Sequence, residues 1–396
     1  MEAVAFYDPV EREETELAQD HNIAALRQRA SQRLPSPIFD YIDGGAEDER
    51  ALRDSVEAFD RARLMPRMMV DVSTLDTSST LFGRKIPLPL MLAPTGLTRL
   101  FHPEAEQAVA RAADAAGLPY CLSTLGTTTI EELANPAGAP RLFQIYIFRD
   151  RGLTEEFIER ARAAGYDGLV LTVDTLVAGK RERDIVNGLA LPPKLTPRSF
   201  LSFASKPRWS VPALFGRKFD FVNVAHRVAT MSDQPVSLAA YVNGQFDRSL
   251  TWRDLEWLAA KWGGPLAVKG VVRPDDALAA LDSGADTIMV SNHGGRQLET
   301  AVAPFDAIAG IADAIGGRGT IICDGGIRRG AHVAKALAAG AQACSIGRAY
   351  LYGLAADGER GVARVIDILR EELERTMILA GVSSCAGFER SLLEAA

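Results

Sequence analysis

The chain has 396 residues, 47% of them hydrophobic and 24% charged, and carries a formal net charge of −7. That length and composition support a sizeable core, in one large domain or two ordinary ones, and exclude an intrinsically disordered chain. The negative balance argues against a general nucleic-acid binder. No apolar run reaches the roughly 18 residues a membrane span needs, and four cysteines without a CxxC pair fit a reducing, cytoplasmic setting.

In chain order, residues 1–20 are acidic and polar and do not read as a secretion signal. Helical periodicity follows around 12–33, 35–43 and 46–59, within an N-terminal extension that ends near residue 87. From residue 88 a rhythm sets in, a short β-branched run, then a polar or glycine-rich loop, then an Ala-rich helical stretch. The strand candidates are 89–93, 120–122, 142–146, 168–173, 265–269, 287–290, 320–323 and 343–346. The matching helical stretches are 104–116, 129–134, 154–164, 250–262, 274–283, 305–315, 330–339 and 359–380, several of them followed by a capping glycine. Eight strand–helix pairs in alternation predict the α/β class and a closed (β/α)8 barrel, the TIM barrel, over 88–380 in a single domain. A doubly wound open sheet would need a dinucleotide fingerprint after its first strand, and Pro94-Thr95-Gly96 is not one.

Between the fourth and fifth strands lies an insertion of about 175–249, far beyond ordinary loop length. Within 194–227 it holds seven Lys/Arg against one acid, Asp220, interleaved with Phe200, Phe203, Trp209, Phe215, Phe219 and Phe221. A basic, aromatic segment of this kind suits an anionic membrane surface. It equally suits an active-site lid with solvated charges.

Barrel enzymes build their sites at the C-terminal ends of the strands, and those ends are chemically rich here. They deliver Pro94, Thr95 and Gly96; Ser123; Gln144 and Tyr146; Thr172 and Asp174, with Arg181 shortly after; Lys269; Ser291 and His293, with Arg296; Asp324, Gly325, Gly326 and Arg328; and Gly347 and Arg348. His293 beside Arg296 puts a base next to a carboxylate-binding fork, as proton abstraction beside a carboxylate requires. The glycine-rich turns with Arg328 and Arg348 form an anion pocket that suits a phosphate monoester. Lys269 reads either as a Schiff-base lysine or as a fixed cation against a ligand that becomes anionic. Asp174 can cap a loop or hold the imidazolium of His293. Arg181 either faces the site or belongs to a solvated charge run with Glu182, Arg183 and Asp184. The five histidines are too scattered for a metal cluster.

Lys269-Gly270-Val271, Ser291-Asn292-His293-Gly294-Gly295-Arg296-Gln297-Leu298, Asp324-Gly325-Gly326-Ile327-Arg328-Arg329-Gly330 and Ile346-Gly347-Arg348 resemble the FMN-dependent L-2-hydroxy acid dehydrogenases and oxidases. The similarity covers about 34–380 and includes Tyr41-Ile42-Asp43-Gly44-Gly45-Ala46-Glu47-Asp48. The resemblance implies an FMN cofactor, a (β/α)8 barrel, and oxidation of a 2-hydroxy acid to the 2-oxo acid. It makes His293 the base, Asp174 its partner, Arg181, Arg296 and Tyr41 the carboxylate grip, and Tyr146 the donor to the oxygen that becomes a carbonyl. Lys269 would face the flavin's N1/O2 edge. Pro94, Thr95, Gly96, Ser123, Gln144, Thr172 and Ser291 would contact flavin or ribityl. Asp324, Gly325, Gly326, Arg328, Gly347 and Arg348 would hold ribityl and phosphate.

Gly96 and the segments 206–209 and 246–256 resemble the lactate and mandelate dehydrogenase branch. In bacterial members of that branch the insertion attaches to the membrane, so peripheral contact through 194–227 on the inner face is implied, as is a homotetramer. Leu125 departs from glycolate oxidase, which carries a bulky aromatic there, and makes room for a larger substrate. The electron acceptor is a quinone or other carrier, or alternatively O2. The proton leaves either carbon or the hydroxyl. A lyase using Lys269 as a Schiff base and a non-catalytic scaffold are the competing readings.

Overall fold

The computed structural model describes residues 17, 19–134, 138–188, 197–217, 221–229 and 244–394. The extension supplies helices α1 (Ile23–Arg33), α2 (Ser36–Asp43) and α3 (Arg50–Arg61). Residues 12–16 and 18 of the first expected helix lie outside the described residues. The helix begins at the Asn22 cap, whose side chain accepts from the Ala25 N–H at 2.8 Å. A two-stranded antiparallel hairpin follows, β1 (Ser79–Leu81) and β2 (Arg84–Ile86).

Eight parallel strands close the barrel in sequence order: β3 (Leu90–Leu92), β4 (Tyr120–Ser123), β5 (Arg141–Ile145), β6 (Gly168–Thr172), β7 (Leu266–Val271), β8 (Thr287–Ser291), β9 (Thr320–Asp324) and β10 (Ala343–Ile346), with β10 returning to β3. Helices α4 (Ala105–Ala116) and α5 (Arg151–Ala163) flank the first half. The insertion carries α6 (Glu182–Val186), α7 (Pro197–Ala204), α8 (Pro207–Phe215) and α9 (Ala225–Ala229). The second half has α10 (Trp252–Trp262), α11 (Pro274–Asp282), α12 (Pro304–Ile315), α13 (Gly330–Ala339) and α14 (Arg348–Ala380). This is the (β/α)8 barrel expected from the alternation.

Two expected helices differ. The stretch 129–134 yields only a 3-10 turn, Glu131–Leu133. Just before it the Thr127 and Thr128 hydroxyls are drawn at 2.8 and 2.7 Å to the buried Glu106 carboxylate, side-chain bonding that competes with a helix start. The last helix begins at Arg348 rather than 359, broken at Asp357 and Gly358. Its first piece is buried all round, from Ala349 to Ala356, so it lacks the polar face by which a helix is recognised.

Strand side chains alternate between the barrel interior and the surrounding helices. The lower interior ring, Met91, Cys121, Leu142, Val170, Ala267, Met289, Ile322 and Ala343, is fully buried and packs with Leu81, Phe82 and Ile86 of the hairpin. Each large aliphatic or Met side chain there contributes about 1.5–3 kcal/mol. Two residues further along every strand stands the upper ring, Ala93, Ser123, Gln144, Thr172, Lys269, Ser291, Asp324 and Ser345. Seven of its eight members are polar. The apolar ring and its hairpin plug form a floor, and the polar ring faces the open end.

Candidate active site

Above the polar ring lies a cavity of about 330 Å³, of the size that holds a small-molecule ligand. Its wall includes Tyr41, Pro94, Thr95, Gly96, Ser123, Gln144, Tyr146, Thr172, Arg181, Lys269, His293, Arg296, Asp324, Gly325, Gly326, Arg328, Gly347 and Arg348. Of the expected site residues only Asp174 and Ser291 stand behind this wall. Residues that the strand-end reading passed over also line it, notably Ser345, Phe101, Phe221, Phe246 and Gln297. Ser345 was legible as the eighth member of a period-two interior ring. The apolar group comes from loops and the insertion, which carry no periodicity.

The His293 Nδ1 meets Asp174 Oδ1 at 2.8 Å, and the Thr175 hydroxyl sits 3.3 Å from the same nitrogen. Burial pushes the Asp174 carboxylate up, but the His293 and Lys269 charges and its hydrogen bonds outweigh this and leave its pKa below the ordinary value. An ionised Asp174 keeps the Nδ1 proton in place and leaves Nε2 as the basic nitrogen. Asp174 is admitted by Gly270, at φ +110 within a bulge between Lys269 and Val271; a Cβ there would fall 2.7 Å from both Cβ and Cγ of Asp174. Tyr146 is buried, and that burial pushes its phenol up to about 12, so it remains a hydrogen-bond donor.

Arg296 and Arg181 converge on Tyr41, their guanidinium carbons 4.8 and 5.5 Å from its ring centroid. Arg296 also donates to the Tyr41 and Gly44 carbonyls at 2.7 and 3.1 Å. Burial, and then the like charge of Arg181, lower the Arg296 pKa, a pairing that an anion between them would relieve. The charge run after Arg181 is a latch. Asp184 takes the Arg181 Nε at 2.7 Å, while Arg183 reaches Glu49 at 2.6 Å and Asp43 at 3.2 Å on the extension.

Lys269 Nζ lies 3.0 Å from both Asp324 Oδ2 and Ser291 Oγ. Burial works against its charge, but Asp324 and Asp174 prevail and raise it to about 12. Ser291, expected at the cofactor, spends its hydroxyl elsewhere. It donates to Asp324 at 2.7 Å and accepts from Lys269 and the His293 N–H at 3.0 Å. Arg348, expected at the phosphate, lines the cavity, yet it donates to the Ile42, Gly294 and Gly44 carbonyls at 2.9, 2.8 and 2.7 Å. Burial, then the neighbouring Arg296 charge, pull it down to about 9. Gly96 abuts Leu125, where a Cβ would stand 3.1 Å from that side chain, so the branch-like glycine and the departure at Leu125 share one spot.

Three polar atoms on the wall, Gln144 Nε2, Thr172 Oγ1 and Ser345 Oγ, are buried without a hydrogen-bond partner among the described residues. Buried polar groups are normally satisfied, so these ask for a polar ligand deep in the barrel. With a fixed cation at Lys269 and an arginine–glycine end at Arg328, the donor set fits a large, polar-edged, anionic group such as FMN.

Comparison with known proteins agrees. Residues 30–395 match the model of the FMN-dependent dehydrogenases. The chain is 42% identical to glycolate oxidase 1 of Oryza sativa subsp. indica over 93% of its own length and 94% of that protein. It is also 42% identical to an L-lactate dehydrogenase of Caulobacter vibrioides, over 93% and 96%. Among solved structures, the monotopic membrane protein (S)-mandelate dehydrogenase superposes with a TM-score of 0.90 at 35% identity, covering 94% of this chain and 98% of that one. A closed barrel, a polar ring fit for a flavin and a match over nearly the whole chain lead to one conclusion: the chain belongs to the FMN-dependent dehydrogenase family.

Proposed function

We propose that the protein oxidises an L-2-hydroxy acid to the 2-oxo acid and delivers the electrons to a quinone or another carrier. One observation carries this reading, the convergence of the His293–Asp174 pair, Arg181, Arg296 and Tyr146 on one cavity. Arg181 and Arg296 grip the substrate carboxylate with Tyr41 beside them, which fixes the Cα–H and hydroxyl relative to the imidazole. Tyr146 donates to the hydroxyl oxygen as it becomes a carbonyl. His293 Nε2 takes the proton, and Asp174 stabilises the imidazolium that results.

The chemistry supplied by bound FMN is acceptance of two electrons. Gln144, Thr172 and Ser345 would satisfy its polar edge, Lys269 would stand as a fixed cation, and Arg328 with the glycines 325, 326 and 347 would take the phosphate. A lysine held protonated in this way is a poor amine nucleophile, which disfavours the Schiff-base lyase reading.

The reading includes peripheral membrane contact through the insertion. Among the described residues no helix is long and apolar enough to cross a membrane. Leu201, Val211, Leu214 and Phe215 on α7 and α8 are exposed, whereas Arg217 pairs with Glu132 and Arg227 with Glu156. Apolar contact therefore carries more of the argument than the basic charges expected to do so. Lys194, Lys218, Phe219 and Asp220 lie outside the described residues. The relation to a monotopic mandelate dehydrogenase supports this placement.

The test is anaerobic mixing with a panel of 2-hydroxy acids while flavin absorbance is followed. Wild type should bleach, and His293→Gln should keep its FMN but reduce it about 10³-fold more slowly. A variant that bleaches at the wild-type rate refutes the role of His293. Mixing the reduced protein with air-saturated buffer then separates acceptors, since fast reoxidation makes it an O2-using oxidase and slow reoxidation supports a carrier.

A further inference from the structure

We propose that Gln297 is a positioning residue whose side-chain amide staples the loop carrying Arg181 to the loop carrying Arg296, setting the spacing of the two guanidiniums. The proposal rests on the reading that those arginines hold the substrate carboxylate.

The Gly179 N–H donates to Gln297 Oε1 at 2.7 Å, and Gln297 Nε2 donates to the Val177 carbonyl at 3.3 Å. The amide thus pairs with the main chain at two points, as a neighbouring strand would. Contact between the loops is close, since a Cβ on Gly179 would stand 2.1 Å from the Arg296 carbonyl oxygen and 2.9 Å from Gln297 Cα. Only a residue without a side chain permits that approach. A third segment binds both loops through the main chain, Ala46 N–H to the Gly295 carbonyl and Glu47 N–H to the Lys180 carbonyl, each at 2.8 Å.

Arg181 lies two residues beyond Gly179, and Arg296 immediately precedes Gln297. Their like charges repel before an anion arrives. A staple of fixed length keeps them from separating. The Gln297 amide is a side-chain link, so a substitution can remove it without altering the main chain or the main-chain bonds from Ala46 and Glu47. The base has a link of its own to the same loop, nearer the strand, where Asp174 meets His293 Nδ1 at 2.8 Å.

Gln297→Leu removes both hydrogen bonds at nearly constant size, and Gln297→Glu keeps the acceptor for Gly179 while losing the donor to Val177. Rapid-reaction flavin reduction and steady-state assays on the FMN-loaded proteins give KM, kcat and the inhibition constant of the 2-oxo acid product. In Gln297→Leu, KM and the product inhibition constant should both rise about tenfold, with kcat changed less than about threefold and FMN content unchanged. Gln297→Glu should show a smaller rise in the same two constants. A purely structural role would instead lower Tm or FMN content and leave KM and product inhibition alone.

If both variants keep KM and product inhibition within twofold of wild type, or lose kcat with KM constant, the staple is refuted. Should the leucine variant fail to fold, the glutamate variant decides by the same criterion. Failure of the underlying reading looks different, because no 2-hydroxy acid would then reduce the wild-type flavin at all.

Discussion

Gly270→Ala tests the catalytic pair from behind. The new methyl would stand 2.7 Å from Cβ and Cγ of Asp174 and 2.9 Å from its Oδ2. Restoring a carbon–carbon separation of about 3.4 Å moves the carboxyl by ~0.7 Å. That stretches the 2.8 Å bond to His293 Nδ1 to about 3.5 Å, where it ceases to be a hydrogen bond. Holding alanine at φ +110 adds about 1–3 kcal/mol of strain, and the overlap a similar amount. Thermal unfolding of the FMN-loaded protein should therefore report a loss of about 2–6 kcal/mol. A displacement of this size at a general base should slow flavin reduction by a 2-hydroxy acid about 10²-fold per bound FMN. KM should stay within about threefold, because Arg181 and Arg296 are untouched. A variant that reduces its flavin within threefold of the wild-type rate would break the chain from bulge to carboxyl to imidazole.

Two further outcomes follow from other parts of the molecule. His332 is stacked on Phe59 at 4.7 Å and accepts from the Arg328 N–H at 3.3 Å; burial, above all, pushes it down from 6.5 to about 4. Its folded-state pKa is depressed, so the stability it confers is present above about 6.5 and is lost as pH falls towards 4, up to about 3 kcal/mol. Unfolding measured from pH 7 to 4.5 should show a shallower acid loss in His332→Gln than in wild type, and equal slopes would refute the assignment. Replacing Leu201, Val211, Leu214 and Phe215 together by serine should abolish sedimentation with phosphatidylglycerol vesicles while leaving flavin reduction unchanged. Sedimentation equal to that of wild type would show that these side chains do not reach lipid.

The barrel was legible because its strands are short apolar runs, most of them followed by an Ala-rich helical stretch. The strand-end chemistry was legible for the same reason, and it brought His293, Lys269, Arg296 and Gln144 to one wall. What escaped has a physical cause in each case. The hairpin 79–86 has strands of three residues, too short for alternation to register. Gly270 is one glycine among 34, and its purpose exists only across space, where β7 meets Asp174. Gln297 was visible inside a motif, but its partners at 177 and 179 lie in a loop whose path no periodicity describes. Arg183 looked like solvated charge because the acids it meets belong to the extension, about 135–140 residues earlier.

The docking of that extension also dictates an order of events during synthesis. Tyr41, Ile42 and Gly44 leave the ribosome well before Arg296 and Arg348, which clasp their carbonyls from 252 to 306 residues downstream. At translation rates of roughly 5–20 residues per second the early segment waits roughly 15–60 s for its partners. Its apolar faces, with Ile23, Leu26, Ile38 and Ile42 destined for full burial, stay without their final cover until the last barrel strands are made. The segment around Tyr41 is thus made early and seated late, and the cavity it helps wall is closed only once Arg296 and Arg348 have met it.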